Sequence, residues 1–415
     1  MSPQHAYIRR QCEGKLKQLA AHFPVVVVSG ARQVGKSTLL EHTFPQYTRI
    51  VFDPIMDIEN ARSEPDLFLD HRKPPIILDE IQYAPELVPA IKRRLEKDRK
   101  PGQYLLTGSQ QWGVMKLLSE SLAGRAAFLD LEGFSLPEIA KADFSSPWLE
   151  RWLKDPVHFL QTPCKKLSLP FPLYEQIWRG FLPETEFLPA NLIPDFHLAY
   201  QRTYIERDIQ QLADVSDLQL FSRFFRLCAA LTAQEINFSQ LGRELGITPQ
   251  TAGRWLELLK ATFQWYEVPP YSGNTIKRIS GKPKGYLCDT GLACFAQAVS
   301  SFPVLGSHPL WGALFETACI SEIRKACRLM QTPPNIYHWR SHGGAEVDVL
   351  LEWNGLFYPI EIKGKTKLDK NDARGIEAFK KNYPRLKTAK GLILAPVETA
   401  YSLDKEVVVA PWDIL

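Results

Sequence analysis

A glycine-rich stretch near the amino terminus contains the residue types that bind phosphate groups. Gly30 and Gly35 are separated by four residues, Lys36 and Ser37 follow directly, and the apolar residues 25–28 precede them. Glycines let backbone amides turn towards phosphate oxygens, the lysine reaches the β and γ phosphates, and the serine hydroxyl ligates magnesium. The pattern therefore predicts a site for ATP and Mg2+. Its predicted residues are Gly30, Ala31, Arg32, Gln33, Val34, Gly35, Lys36, Ser37 and Thr38.

Two acidic residues follow a second apolar run. Asp79 and Glu80 come directly after residues 76–78, which read as a buried strand. In open α/β sheets, ligands bind at the carboxyl ends of the strands. We expect Asp79 to hold the magnesium shell and Glu80 to orient the attacking water, which predicts hydrolysis as well as binding. Taken without the glycine-rich stretch, the pair equally fits the start of a helix.

A third apolar run, residues 104–106, ends in Thr107, Gly108 and Ser109. Small polar residues at this edge could touch the γ phosphate or the attacking water. We expect Ser109 to have this sensing role, with Thr107 as the alternative. The same string also fits a strand that simply runs into a turn.

The elements that must position these residues form an alternating pattern. Short apolar runs at residues 25–28, 50–52, 76–78, 104–106 and 128–131 alternate with longer amphipathic stretches, which is typical of a parallel sheet covered by helices. Nine prolines between residues 137 and 194 then indicate an irregular connector. We predict an α/β fold with domains at residues 1–135, 136–235, 236–300 and 301–415.

Composition and charge exclude several classes of protein. A chain of 415 residues, 45% of them hydrophobic, can bury a sizeable core, and its seven scattered cysteines form no C-x-x-C pair. Scattered cysteines, with neither a signal-peptide pattern nor a long apolar run, predict a reduced, cytoplasmic protein without membrane association. The formal charge of +4 does not by itself require a nucleic-acid partner.

Residues 238–259 read as two helices joined by a turn at Gly246, with Thr248 as the cap of the second helix. Between residues 254 and 284 six basic residues stand against two acids. A basic second helix followed by a hairpin wing predicts contact with duplex DNA. The predicted DNA-binding residues are Gln250, Thr251, Arg254, Lys277 and Arg278. Such a module also serves for protein docking or for packing, and the sequence leaves both open.

A hairpin near the carboxyl terminus places acids opposite each other. Asn354-Gly355 favours a two-residue turn, so Trp353 faces Leu356 and, five residues further along each strand, Asp348 faces Glu361. Lys363 points the same way. Opposed like charges destabilise a sheet unless a divalent metal or a lysine neutralises them. Residues 361–390 also carry ten basic residues against four acids, which favours a surface that attracts phosphate.

The strings GARQVGKST, IILDEIQ and LLTGSQ resemble the AAA ATPases of prokaryotes. Nearly the whole chain is similar to a prokaryotic subfamily in which this P-loop ATPase precedes a domain of unknown function, through GRAAFLDLEGFSLPEI, YQRTYIERDIQQL, EVDVLLEW and PIEIKGK. The resemblance implies an AAA-type P-loop NTPase core, a helical and winged-helix segment, and a C-terminal PD-(D/E)XK-like α/β domain of the restriction-nuclease type.

The resemblance also implies further site residues. In active restriction-nuclease-like members, acids matching Asp348 and Glu361 hold magnesium, and a lysine matching Lys363 positions the water. Glu316 matches an additional helix acid of that family. Many members have lost catalysis, so a relic fold stays open. AAA proteins often receive an arginine from a neighbouring subunit, for which Arg125 or Arg207 is the candidate, which implies a homo-oligomer. Both arginines equally fit structural salt bridges.

Three functions follow from these patterns. The first is a DNA-associated AAA ATPase, the second an ATP-gated, metal-dependent DNA nuclease. The third is a nucleotide switch or scaffold that acts on proteins, with the later domains as docking surfaces.

Overall fold

The computed structural model of the protein describes residues 6–108, 120–144, 147–162, 164–206 and 217–414. We divide these into an N-terminal part (residues 6–135), a middle part (136–307) and a C-terminal part (308–414).

The N-terminal part is a parallel five-stranded sheet with helices on both faces. Its helices are α1 (Glu13–His22), α2 (Lys36–Thr43), α3 (Pro65–His71) and α4 (Leu87–Lys97), and its strands are β1 (Val25–Ser29), β2 (Thr48–Val51), β3 (Ile76–Asp79), β4 (Tyr104–Gly108) and β5 (Ala126–Asp130). The strand order is β2-β3-β4-β1-β5. Every residue of β1, β3 and β4 is buried, which explains their unbroken apolar runs. The predicted α/β fold class is confirmed.

The parallel arrangement brings the chemical residues to one edge. β1 pairs in parallel with β4 and β5, and β3 pairs in parallel with β2 and β4. Gly30 therefore follows β1, Glu80 follows β3, and Gly108 ends β4 at the same side of the sheet.

The middle part is mainly helical. Its helices are α5 (Leu136–Ile139), α6 (Trp148–Lys154), α7 (Leu173–Arg179), α8 (Ile193–Tyr200), α9 (Leu218–Ala230), α10 (Phe238–Leu245), α11 (Pro249–Ala261), α12 (Thr275–Ser280) and α13 (Thr290–Ala296), and its strands are β6 (Gln234–Glu235), β7 (Trp265–Val268) and β8 (Lys284–Leu287). Gln201–Glu206 form a π-helical turn after α8. The proline-rich region contains only short helices, as expected. β6, β8 and β7 form an antiparallel sheet beside α9 and α11.

The C-terminal part is a mixed six-stranded sheet with the order β13-β14-β12-β11-β10-β9. Its elements are α14 (Trp311–Leu329), β9 (Asn335–Arg340), β10 (Glu346–Trp353), β11 (Leu356–Ile362), α15 (Arg374–Asn382), β12 (Gly391–Ala395), β13 (Tyr401–Ser402) and β14 (Val407–Pro411). β9, β13 and β14 were not anticipated from the sequence. Short 3-10 helices lie at Ile58–Asn60, Ile81–Tyr83, Phe159–Gln161, Pro183–Glu186, Ala190–Leu192, Phe302–Ser307 and Lys370–Ala373.

The three parts share one continuous hydrophobic core. Polar contacts reinforce it: Arg324 and Arg328 of α14 contact Glu132, which follows β5. The described helices include none that is both long and apolar enough to cross a membrane.

Candidate functional site

The loop after β1 has the backbone that the phosphate-binding pattern requires. Gly30 and Gly35 have φ angles of 152° and 90°, a region that side chains disfavour. A Cβ atom on Gly30 would lie 2.1 Å from the carbonyl oxygen of Leu131, so only glycine fits there. Gly35 is the N-cap of α2 and has no side chain to satisfy the first amides of that helix. These amides suit an anionic group, and the loop therefore fits a triphosphate.

Lys36 and Ser37 open α2. The Lys36 side chain is buried, and its Nζ donates to the carbonyl oxygens of Gly30 and Ala31 at 3.0 and 2.8 Å. Tyr200 of α8 donates to the carbonyl oxygen of Arg32 at 3.1 Å, so the middle part touches the loop directly. Arg32 itself donates to the Tyr83 hydroxyl. Val34 is buried, whereas Gln33 and Thr38 are exposed.

Asp79 lies where the sequence predicted. Its side chain is 1% exposed, and its Oδ1 accepts a hydrogen bond of 2.9 Å from the Ser37 hydroxyl. Thr107, at the end of β4, donates to the same oxygen. The start of α2 and the end of β3 thus bring together a serine hydroxyl and a carboxylate, the oxygen donors that magnesium prefers. Ser37 and Asp79 are the residues that would hold Mg2+ here.

Arg49 of β2 is a member of this site that sequence reasoning missed. Its Nε donates to Asp79 Oδ2 at 2.9 Å and its Nη2 contacts the same oxygen, while Nη1 contacts Glu41. Both oxygens of the buried carboxylate therefore have partners. Because β2 is adjacent to β3, a basic residue on β2 was the signal that could have identified it.

Glu80 has a left-handed backbone, with φ at 58° and ψ at 47°. This conformation is uncommon for a residue with a side chain and concentrates at functional sites. Its amide donates to the Thr107 hydroxyl at 2.9 Å, and Gln82 contacts its carboxylate. Ser109, the predicted sensor, lies outside the described residues, as does Arg207.

Arg125 lies away from this site within one chain. It directly precedes β5, at the edge of the sheet opposite the glycine-rich loop, and its carbonyl oxygen accepts from the Val25 amide. Its guanidinium lies 3.7 Å from Glu96. A contribution of Arg125 to a neighbouring subunit stays a prediction.

The predicted DNA-binding residues fall into two groups. On α11, Gln250 and Arg254 are exposed, and Thr251 donates its amide to the capping Thr248 hydroxyl as expected. Arg278 instead faces the C-terminal part. Its guanidinium lies 4.3 Å from the centre of the Tyr271 ring and 3.9 Å from Glu352.

Much of the local basic charge is neutralised within the protein. Lys260 pairs with Glu257 and Glu267, and Lys284 is buried against acids of the C-terminal part. Together with Arg278, these account for three of the six basic residues between positions 254 and 284. The side chain of Lys277 lies outside the described residues.

The carboxyl-terminal hairpin has the predicted register. Trp353 pairs with Leu356 and Leu350 with Pro359, which places Asp348 beside Glu361. Lys363 Nζ lies 2.6 Å from Glu361 Oε2 and 3.5 Å from Asp348 Oδ2. The three hairpin residues therefore meet, as expected.

Two further acids and one lysine complete a carboxylate cluster, which we define as Glu316, Glu346, Asp348 and Glu361. Lys284 Nζ lies 3.0 Å from Glu316 Oε1 and 3.6 Å from Asp348 Oδ1, and it contacts Glu346. The Tyr286 hydroxyl donates to Glu316 at 2.7 Å. Sequence reasoning found Glu316 but missed Glu346 and Lys284.

Burial sets the protonation of this cluster. Burial, followed by the charge of Asp348, raises the pKa of Glu316 to about 7 and that of Glu361 well above its usual value. Burial alone would raise the pKa of Asp348, but Lys363 and Lys284 outweigh it and hold the pKa below its usual range. Burial would lower the pKa of Lys284, yet Glu316, Asp348 and Glu346 raise it. Near neutral pH the cluster thus holds an ionised Asp348 beside the ammonium groups of Lys284 and Lys363.

Among the residues that the structure describes, no group of three or more histidine, cysteine, aspartate or glutamate side chains is arranged to hold a metal ion. The metal centre that the resemblance implied for Asp348 and Glu361 stays a prediction. In this structure the ammonium groups of Lys284 and Lys363 contact these carboxylates.

Comparison with protein families identifies the part that holds the glycine-rich loop. Residues 22–140 match a family model described as "AAA domain". Residues 172–302 and 311–415 match models described as "Domain of unknown function (DUF8612)" and "Domain of unknown function (DUF4143)". The part that contains the glycine-rich loop is thus similar to AAA domains.

Similar proteins span nearly the whole chain. Uncharacterized proteins of Mycobacterium bovis and Mycobacterium tuberculosis are each 26% identical to it over 406 residues, covering 98% of this chain and 84% of theirs.

Among solved structures, a Walker-type ATPase of Pyrococcus abyssi is 18% identical, with a TM-score of 0.40, and covers 70% of this chain and 96% of its own. The RuvB Holliday junction branch migration motor of Thermotoga maritima is 15% identical, with a TM-score of 0.31, and covers 63% and 90%.

Removal of Arg49 should destabilise the N-terminal part. Arg49→Ala leaves the buried Asp79 carboxylate without its cation, so the free energy of unfolding should fall by about 1–3 kcal/mol. Arg93→Ala is the matched control, because its partner Asp66 is 57% exposed, and it should cost less than about 0.5 kcal/mol. Urea unfolding measures both, and equal losses would contradict the role of Arg49.

Glu316 should make stability depend on pH. Its pKa is 4.5 when unfolded and about 7 when folded, so the stability it contributes is fully present below pH 4.5 and is lost as the pH rises through 7. In the wild type the free energy of unfolding should therefore decrease as the pH rises across this window. In Glu316→Gln this decrease should be smaller by about 1–3 kcal/mol. Glu377→Gln, on the exposed face of α15, should keep the wild-type slope. An unchanged slope in Glu316→Gln would refute the assignment.

Proposed function

We propose that this protein is a magnesium-dependent ATPase whose ATP turnover is coupled to DNA association through the middle and C-terminal parts. The contact between Ser37 and Asp79, 2.9 Å long and beside the glycine-rich loop, carries the ATPase part of this proposal. A hydroxyl and a buried carboxylate at this distance can share one metal ion next to the phosphates. The match of residues 22–140 to an AAA domain supports it.

Each residue of the ATP site has a distinct role in this proposal. The amides of residues 30–37 bind the phosphates, and Lys36 leaves the carbonyl oxygens of Gly30 and Ala31 to neutralise their charge. Bound magnesium would stabilise negative charge on the transferring phosphoryl group. Glu80 orients the attacking water and accepts its proton, while Thr107 holds the Glu80 amide. Arg125 would act from a neighbouring copy, in a homo-oligomer.

The coupling to DNA rests on exposed residues of α11 and of the C-terminal part. Gln250 and Arg254 project from α11 into solvent, in a two-helix arrangement followed by an antiparallel strand pair, as in a winged helix. The C-terminal part adds exposed basic side chains that could contact phosphates. They are Lys365, Lys367, Lys370, Arg374, Lys381, Arg385 and Lys387.

One observation favours a second candidate function. Arg278 and Lys284, which the sequence placed on a DNA-facing wing, contact acids of the C-terminal part instead. This arrangement favours a nucleotide switch or scaffold acting on proteins, in which the middle part serves for docking. The nuclease alternative requires free carboxylate oxygens at Asp348, and Lys284 lies against one of them.

Glu80→Gln should separate binding from hydrolysis. The amide cannot accept a proton from water, so phosphate release should fall by about 100-fold or more while the affinity for a fluorescent ATP analogue stays within about twofold. Glu86→Gln, an exposed residue six positions away, should behave like the wild type. Hydrolysis by Glu80→Gln at the wild-type rate would remove Glu80 from the mechanism.

DNA association should show itself by its dependence on salt. Fluorescence anisotropy with duplex DNA should give an affinity that falls steeply between about 50 and 200 mM salt, and Arg254→Ala should weaken it about fivefold or more. Arg223→Ala, on the exposed side of α9, is the control. If the wild type shows no salt-sensitive binding, with or without ATP, the scaffold function takes first place.

A further inference from the structure

Strand β8 delivers a lysine and a tyrosine into the carboxylate cluster. Lys284 and Tyr286 are two residues apart, so their side chains leave the same face of the strand. Tyr286 donates to Glu316, and Lys284, which is 4% exposed, contacts Glu316, Glu346 and Asp348. A buried ammonium group needs such compensation because burial alone disfavours its charge. The cluster thus surrounds a cation that comes from another part of the chain.

Both carboxylate oxygens of Asp348 already have partners within the protein. Its Oδ1 faces Lys284 at 3.6 Å, and its Oδ2 faces Lys363 at 3.5 Å and accepts the Ile362 amide at 2.8 Å. Glu361 is occupied by Lys363 at 2.6 Å. A divalent ion that binds through Asp348 and Glu361 would have to displace at least one of these ammonium groups.

Hydrogen bonds hold the segments near Lys284 against β9. The Tyr271 amide donates to the His338 carbonyl at 2.6 Å, and the His338 amide donates to Pro269 at 3.0 Å, so this stretch runs along β9. A ring nitrogen of His338 also contacts the carbonyl oxygen of Lys282 at 3.1 Å. Withdrawal of Lys284 therefore requires either a different side-chain conformer or separation of the middle part from β9.

We propose that Lys284 is the resident cation of the carboxylate cluster and that it keeps divalent metal ions out while the middle part is docked on the C-terminal sheet. The contact is an autoinhibitory latch: the same acids that could bind a metal hold the middle part in place. Positive charges in one small site repel each other, so lysine and metal exclude one another. This inference concerns the C-terminal part and does not depend on ATP hydrolysis.

The test measures Mn2+ binding to the full chain without nucleotide, by electron paramagnetic resonance of the free ion. Lys282 is an exposed lysine two residues away, so Lys282→Met is the control. In the wild type and in Lys282→Met, the added change Asp348→Asn should leave Mn2+ binding unchanged. Lys284→Met, or Lys284→Gln if the first variant folds poorly, should gain one Mn2+ site. This site should bind Mn2+ at least about tenfold more tightly than the wild type does, and Asp348→Asn should abolish it. A wild-type site that depends on Asp348, or a folded Lys284 variant without a new site, would overturn the proposal.

A second measurement uses the wild type alone. Acetylation by a water-soluble ester, followed by mass spectrometry, should modify Lys282 at least about tenfold faster than Lys284, and millimolar Mn2+ should leave this ratio unchanged. Faster modification of Lys284 in the presence of Mn2+ would show that the metal expels the lysine readily, which contradicts the latch.

Discussion

A carboxylate that leaves water must receive a cation or a proton, and this constraint organises all three parts of the protein. The ion pairs that meet it are Asp79 with Arg49, Glu132 with Arg324 and Arg328, and Asp348 with Lys284 and Lys363. Glu316 contacts Lys284 and Glu361 contacts Lys363, and burial raises the pKa of both carboxyl groups. The chain thus supplies its own cations at both places where its sequence predicts a metal.

These ion pairs also connect the two sites through one rigid element. Helix α14 carries Glu316 in the carboxylate cluster and, further along, Arg324 and Arg328 against Glu132. Near Glu132, Asp130 accepts the hydroxyl of Ser29, the last residue before the glycine-rich loop. A shift of that loop on nucleotide binding would therefore act on α14 through two short contacts. This physical link is consistent with a nucleotide-dependent arrangement of the parts.

The parts of the site that are local in sequence could be predicted, and those that depend on strand neighbours could not. The loop, Asp79 and the register around Asn354-Gly355 follow from spacing within one or two elements. Arg49 and Lys284 gain their roles only because β2 lies beside β3 and β8 packs against the C-terminal sheet. The expectation that basic residues near position 280 face solvent took no account of Glu352 and Glu316, acids distant in sequence. β9 and β14 were missed although both contain apolar residues, because short strands lack a distinctive pattern.

The most direct measurement is an experimental structure of the full chain with Mg2+ and a non-hydrolysable ATP analogue. We expect a triphosphate held by the amides of residues 30–37, Ser37 as a ligand of the metal, and Asp79 within reach of the water shell of the metal. Lys36 should have turned from the carbonyl oxygens of Gly30 and Ala31 to the phosphates. An analogue bound elsewhere, or Lys36 still bonded to those carbonyl oxygens beside an occupied loop, would contradict this expectation.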